Sequence, residues 1–375
     1  MNKKTVFVGL SGGVDSAVSA ALLKKQGYEV VGVFIKTWHP DFLVCNEEEE
    51  RLDAMRVAAH LDIPFLTFDL ADVYKKEVGV YMIREYKMGR TPNPDVMCNK
   101  EVKFGAFLKR ALAVGADFVA TGHYAKVLPL QNFSGLLQPS AGTFPVQNSA
   151  KAALLGKGID PTKDQSYFLW TLNQKQLSNI IFPIGHLKKT EVRRLAKKFK
   201  LPVAEKRDSQ GICFLGAVDL KEFLKHYIKE KKGKVVNTKG EEIGYHDGVV
   251  FHTLGERHGF TITKKSSTDG AYYVIGKDIK KNILIVSQNR VLPLDKGGLR
   301  GVELKNTNWI SKSCPLKDKS YTCQIRYHGE FLHCRVVCGS KASAKVIFEK
   351  PVLVASGQSC VVYDKNVCLG GGVVV

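Results

Sequence analysis

Apolar residues in this chain fall into short unbroken runs that alternate with segments where they recur every three or four positions. Thr5-Val6-Phe7-Val8 is the first run, and Ala17 to Leu23 follows it with a helical pattern. Glu29 to Ile35, Pro64 to Asp69 and Asp117 to Thr121 repeat the run. Glu47 to Leu61 and Lys103 to Val114 repeat the helical pattern. The first of these puts Leu52, Met55 and Ala59 on one stripe and loads its opening turn with Glu47 to Glu50, where the helix dipole favours negative charge. Strands alternating with helices predict an open, largely parallel sheet of the α/β class. Thr190 is placed to cap a further helix that turns Val192, Leu195, Ala196 and Phe199 inward and Arg193, Arg194, Lys197 and Lys198 outward. A second basic segment, 221–234, carries Phe223, Leu224 and Tyr227. Beyond about Lys234 short strands and turn signals take over. Val249 to Arg257 and Ala271 to Gly276 read as a small middle domain; Ile283 to Val286, Tyr321 to Tyr327, Phe331 to Cys338 and Cys360 to Tyr363 read as a compact β-barrel. The expected domains are 1–208, 209–283 and 284–375.

Between the first strand and first helix lies Gly9-Leu10-Ser11-Gly12-Gly13-Val14-Asp15-Ser16. Glycines there permit torsions and close approach that side chains would block. The amides of a helix start favour an anion, so the loop reads as a phosphate site. It lacks the Lys-Ser or Lys-Thr of a Walker loop and the Gly-x-Gly-x-x-Gly of a dinucleotide fold. A tight turn that binds nothing is the bland alternative. In open α/β sheets ligands sit beyond the carboxyl ends of the strands, where Ser11, Ile35 and Gly122-His123 all fall; His123 also fits a structural hydrogen bond. The stretch Gly89 to Lys100 holds two prolines in TPNPD, which stiffen it, and Asp95 is placed to cap the helix that follows, with Cys98 in its first turn. A thiol there, near Lys100 and Lys103, gains thiolate character, whereas a small buried hydrophobe is the ordinary fate of a cysteine. Cys213, between Ile212 and Phe214 and bounded by Gly211 and Gly216, is ambiguous by itself.

Composition adds two points. The 375 residues carry 56 Lys plus Arg against 36 Asp plus Glu, a net +20, which favours a polyanionic partner. Nine cysteines without a Cys-x-x-Cys pair argue against a disulfide framework or zinc ribbon. Cys323, Cys334, Cys338, Cys360 and Cys368 are expected to be structural, with Cys334 and Cys338 facing the barrel core; Cys45 and Cys314 are undecided. No apolar stretch approaches the roughly 20 residues of a membrane span. The first apolar run breaks too early for a secretory signal, so a cytoplasmic protein is expected. The uncharged stretch 127–150 reads as a surface loop or long hairpin.

Taken together, SGGVDS, TPNPDVMCNKEVKF, ATGHYAKV, KDQSYFLW, DSQGICFLG, FHTLGERHG and SGQSCVVYD resemble, in order and across nearly the whole chain, the tRNA-specific 2-thiouridylase family of the PP-loop ATP pyrophosphatase superfamily. The resemblance implies a Rossmann-like, adenine nucleotide alpha-hydrolase-like PP-loop domain, a central tRNA-binding domain and a C-terminal β-barrel. It places the nucleophile on Cys98, the persulfide on Cys213 and the acid/base carboxylate on Asp95. ATP contacts fall on Gly9, Leu10, Ser11, Gly12, Gly13, Val14, Asp15, Ser16, Ile35 and Gly122. Contacts to tRNA fall on Asn93, Pro94, Asp95, His123, Lys163, Asp164, Gln165, Arg326, Tyr327 and Gln358. Ile35 stands where the family usually has Met, and FTITKKSSTDGAYY replaces a more glycine-rich connection.

The implied chemistry is adenylation of the wobble-uridine O2 with release of pyrophosphate, then sulfur delivery to C2 from the Cys213 persulfide. Implied partners are the tRNA anticodon loop, rather than DNA or a membrane, and a sulfur-relay donor protein or cysteine desulfurase. Implied cofactors are ATP and Mg2+. An iron–sulfur cluster on Asp95, Cys98 and Cys213 is the less favoured variant, since it shows three ligands where four are usual. The alternatives are a PP-loop amidating synthetase acting on a small metabolite and a non-catalytic RNA-binding module.

Overall fold

The computed structural model describes residues 3–43, 46–129, 153–208, 219–266, 269–290 and 299–375. Its first sheet contains β1 (Thr5–Gly9), β2 (Glu29–Lys36), β3 (Phe65–Asp69), β4 (Phe118–Ala120) and, after the hairpin described below, β7 (Ile180–Ile181). All five strands are parallel, in the order β3-β2-β1-β4-β7. The alternation of side chains along β1 sorts its apolar run onto two helical layers. Val6 and Val8 join a core with α1 (Val14–Lys25) and α2 (Glu47–His60), while Phe7 joins the opposite core with Tyr74, Met82, Phe104 and Phe107. Strand order reverses at β1/β4, the crevice where such sheets bind ligands.

Three helices differ from expectation. The buried face of α2 is Ala54, Val57 and Ala58, not Leu52, Met55 and Ala59; Met55 is exposed. Both stripes have helical spacing, and the one with small residues lets α2 lie close to the sheet. Helix Lys189–Lys198 begins one residue before Thr190: Lys188 takes the cap position and Glu191 reaches back to its amide at 2.7 Å. Third, helical structure begins at Pro94 and continues to Ala113, with the middle, Cys98–Phe107, wound more widely in π-helical form.

The middle domain is a five-stranded sheet of β8 (Gly233–Val236), β9 (Glu242–His246), β10 (Phe260–Ile262), β11 (Tyr273–Asp278) and β12 (Ile283–Ser287), in the order β10-β9-β8-β12-β11. The expected barrel start at 284 therefore falls inside β12, which pairs with β8 and β11 and buries Leu284 and Val286 in the middle-domain core. Val249–Phe251 is a single 3-10 turn rather than a strand.

Six antiparallel strands follow: β13 (Leu299–Trp309), β14 (Tyr321–Gln324), β15 (Leu332–Cys338), β16 (Ala344–Val352), β17 (Ser359–Asp364) and β18 (Val367–Val374). Pairing of β13 with β18 closes them into a barrel in the order β13-β16-β15-β14-β17-β18. Cys323, Cys334 and Cys360 are buried in its core. Cys338 is partly buried against that core and forms a disulfide with Cys314, whose role the sequence left undecided. Strands β5 (Ala125–Pro129) and β6 (Ala153–Lys157) form a hairpin, and β6 also pairs with β18. The stretch 127–150, expected as a surface loop or long hairpin, lies outside the described residues from 130 onward. One sheet thus joins the α/β domain to the barrel.

Candidate active site

The glycine-rich loop leaves the carboxyl end of β1. Leu10 donates its amide to the Val33 carbonyl at 2.8 Å, and its side chain fills space that any side chain at Gly32 would take. Gly12 has φ +70°, in the left-handed region, and a Cβ there would press into the Glu50 carbonyl. Ser16 is buried; its hydroxyl donates to the Gly13 carbonyl at 3.1 Å and accepts from the Ser11 amide at 3.2 Å, which pins the loop across α1's first turn. Gly122, just beyond β4, completes the crevice. A Cβ there would lie 2.7 Å from the Ser16 nitrogen and 3.0 Å from the Asp15 Cβ. Ile35 is partly buried near the end of β2.

A chain of charges runs outward from this loop. Lys189 Nζ donates to both Asp15 oxygens at 2.7 and 2.8 Å and lies 2.8 Å from Asp208 Oδ1. The Tyr124 hydroxyl also donates to Asp15, at 2.7 Å. Asp208 is held in addition by Lys163 at 2.9 Å and by Arg193. Burial alone would lift the Asp208 carboxyl, but hydrogen bonds from Lys189 and Lys163 override it and hold it well below the usual carboxylate range. Arg193 also donates to the Ala204 and Lys206 carbonyls, so it braces the segment preceding Asp208 instead of lying on a solvated basic face.

The second half of the candidate site is the turn at 93–98. Asn93, not Asp95, caps the helix: its Oδ1 accepts from the Val96 amide at 3.1 Å, with Pro94 at the first helical position. Asp95 falls in the first turn, and Cys98 follows it three residues later on the same face, beyond that turn and buried at 4% exposure. Lys100 pairs with Glu101 at 2.7 Å. Burial raises the Asp95 carboxyl above its ordinary range, with Lys103 pulling in the opposite direction. Cys213 lies outside the described residues.

The barrel closes on this turn. Tyr327 lies close enough to Asp164 and Asp95 for both to raise its hydroxyl, after burial, to about 12. Its ring is 4.3 Å from Phe168 and 6.2 Å from Tyr167. The Tyr167 hydroxyl bonds the Ser359 carbonyl at 2.9 Å and also meets Asn93. Gln358 donates to the Thr91 carbonyl at 3.0 Å, and Thr91 donates its amide to Ser356 at 2.8 Å. Arg326 is exposed beside Tyr327. The structure therefore groups Asn93, Pro94, Asp95, Tyr327 and Gln358. Asp164 and Gln165 brace the fold: Asp164 accepts from the Gly158 and Ser166 amides, and Gln165 exchanges bonds with the Tyr124 backbone. His123 is buried between Phe104 and Phe182 and bonds Thr121 at 2.8 Å; burial, then Lys103, keeps its imidazole neutral. Sequence reasoning passed over Lys189, Tyr124, Tyr167 and Asp208. Lys189 gave no local signal, because its role rests on contacts 174 residues away.

A parallel sheet with a glycine-rich loop at its switch point, sharing a hairpin with a closed β-barrel, has the architecture of a PP-loop protein. Residues 4–217 match the family described as tRNA methyl transferase HUP domain, 221–288 its PRC-barrel domain, and 299–374 the aminomethyltransferase beta-barrel domain. The chain belongs to the tRNA-specific 2-thiouridylase family. It is 43% identical to tRNA-specific 2-thiouridylase MnmA of Nitrosomonas europaea, over 100% of this chain and 99% of that one. It is 42% identical to the protein of that name in Geobacillus thermodenitrificans, over 98% and 94%, and 41% to that in Francisella tularensis subsp. novicida, over 100% of both. Among the described residues no helix is long and apolar enough to cross a membrane.

Proposed function

We propose that this enzyme replaces O2 of the tRNA wobble uridine with sulfur in two steps that use its two half-sites. In the first, O2 attacks the α-phosphorus of ATP and the bond to the β-phosphate oxygen breaks, releasing pyrophosphate. The loop from Gly9 to Ser16 supplies preorganised backbone donors for the departing phosphates, and Gly122 keeps the crevice open above Ser16. Asp95, its carboxyl raised by burial, exchanges the proton that the uracil loses at N3 on activation and regains in the product. In the second step the outer sulfur of the Cys213 persulfide attacks C2 and AMP leaves. Cys98 then attacks the inner sulfur of Cys213, freeing the thiolated base and leaving a Cys98–Cys213 disulfide. In the other order, Cys98 first releases sulfide, which attacks C2 itself. Either order ends in the same disulfide, so each cycle needs a two-electron thiol reductant and a persulfide donor, the role of a sulfur-relay protein or cysteine desulfurase.

The observation that carries this reading is the turn Asn93–Cys98, which sets a carboxyl of raised pKa and a buried thiol on one helical face beneath Tyr327. The extruded uridine enters there, a modest cost for a single-stranded anticodon loop. Arg326 and Gln358 shape the RNA side, with His123 and the 163–165 segment supporting it from beneath, and the net charge of +20 steers it. Mg2+ enters with ATP as the MgATP substrate. The test is nucleoside mass spectrometry of tRNA incubated with ATP, Mg2+ and a persulfide source. Cys98→Ser and Cys213→Ser each abolish 2-thiouridine while ATP binding survives; thiolation by both variants would sink the scheme.

A further inference from the structure

The ion pair between Lys189 and Asp15 is unusual in its placement. Asp15 sits in the first turn of α1, where the loop must receive a polyanion, and an uncompensated carboxylate there would repel it. Lys189 neutralises that carboxylate from the side, with a side chain only 14% exposed. Its ammonium has three donors, and the structure gives them three acceptors: two oxygens of Asp15 and one of Asp208. The two partners differ in what they would lose. Asp208 also has Lys163 and Arg193, so it stays paired when Lys189 turns away. Among the described residues Asp15 then retains the Tyr124 hydroxyl, an uncharged donor. One donor of Lys189 is therefore exchangeable and two are anchoring. The anchored end stands beside α1's first turn.

We propose that Lys189 is a polyphosphate-binding residue of the adenylation step, exchanging its Asp208 contact for a β- or γ-phosphoryl oxygen of ATP while it remains on Asp15. The inference rests on the loop being the ATP site. Its backbone amides hold the phosphates in place, and Lys189 supplies the mobile positive charge that a loop without a Walker lysine lacks. Charge accumulates on the leaving pyrophosphate as the α–β bond breaks, so the contact strengthens toward the transition state. Phosphate binding and the segment ending at Asp208 become linked through one side chain.

Calorimetric titration with ATP, inorganic pyrophosphate and AMP, each with Mg2+, separates this from a structural clamp. Lys189→Met weakens ATP and pyrophosphate by about 10- to 100-fold, the range of one charge-assisted hydrogen bond, and changes AMP less than about threefold. Lys189→Arg recovers most of the loss. Asp208→Asn removes the negative charge that competes for Lys189, so pyrophosphate binds as tightly as before or more tightly; this second variant keeps the test open if Lys189→Met fails to fold. Equal losses for ATP and AMP, no loss for either, or weaker pyrophosphate binding by Asp208→Asn overturns the proposal. Wild-type protein that binds neither ATP nor pyrophosphate removes the ATP reading beneath it instead.

Discussion

Lys277 holds the middle domain against the α/β domain, and its pH response can be worked out from its surroundings. It lies on β11 and donates at 2.7 Å to the Gly89 carbonyl on one side and the His252 carbonyl on the other. The seam includes a Thr91–Thr253 hydroxyl contact at 3.1 Å, and Ile279 packs where a side chain at Gly89 would stand. Two carbonyls solvate the ammonium poorly. Burial lowers its pKa to about 8, with Glu256 pulling upward. The unfolded chain returns it to about 10.4. Below pH 8 both states are protonated and the folded state bears the full desolvation cost. Between about 8 and 10.4 the unfolded state holds the extra proton, so stability rises with pH by up to about 1.4 kcal/mol per unit. Lys277→Met removes this titration. Urea unfolding of both proteins at pH 7 and 9.5 gives a stability difference that shifts by about 2 kcal/mol in favour of the wild type. A difference that stays flat across that interval would show that Lys277 is solvated and that the seam is looser than these contacts state.

Three further outcomes are expected. Gly122→Ala forces a methyl toward the Ser16 amide and the Asp15 Cβ, so ATP affinity falls at least tenfold while the melting temperature moves only a few degrees, read by titration and calorimetry. Asn93→Ala removes the cap that sets Asp95, at a cost of about 1 kcal/mol, and lowers kcat for thiolation more than it changes ATP binding. Burial, then the neighbouring His252, lowers the His246 imidazole to about 4. Both states are neutral above pH 6.5, but below it the unfolded state takes up the proton first, so the middle domain loses about 2 kcal/mol between pH 6.5 and 5. His246→Asn, which keeps an acceptor for the Gly248 amide, loses that acid sensitivity in hydrogen-exchange protection of 233–287.

Four strands of the parallel sheet were legible because most of them are apolar runs, with glycine following β1 and β4, whereas β7 is only two residues long and gave no signal. Where two solutions shared one period, the pattern was silent: 52, 55, 59 and 54, 57, 58 both suit a helix, and packing chose the smaller side chains. Capping failed for a similar reason. Asn93 and Asp95 can both cap, and Pro94 at the first helical position decides for Asn93. The glycine loop, Asp95 and Cys98 stood out from the residues themselves and the resemblance added roles to them, but contacts separated by more than a hundred residues left no local trace. Lys189 with Asp15 and Gln358 with Thr91 depend on how distant segments of the chain fold together.

The seam at Gly89–Thr91 ties these contacts into one argument about catalysis. That stretch is bound by Lys277 and Thr253 from the middle domain and by Ser356 and Gln358 from the barrel, and it leads within two residues to Asn93. Barrel and α/β domain also share hydrogen bonds through β6 and β18 and through Tyr167 and Trp170 with Ser359. A displacement of either smaller domain is therefore felt at the cap of the Asp95–Cys98 turn before it reaches the glycine loop. The loop is supported separately, by β1, β4 and Lys189. ATP binding and sulfur transfer thus draw on different supports, so loosening the seam by Thr253→Ala together with Gln358→Ala lowers thiolation several-fold and leaves ATP affinity within about twofold. Nucleoside mass spectrometry and nucleotide titration measure the two separately, and a parallel fall in both would show that the half-sites share one support after all.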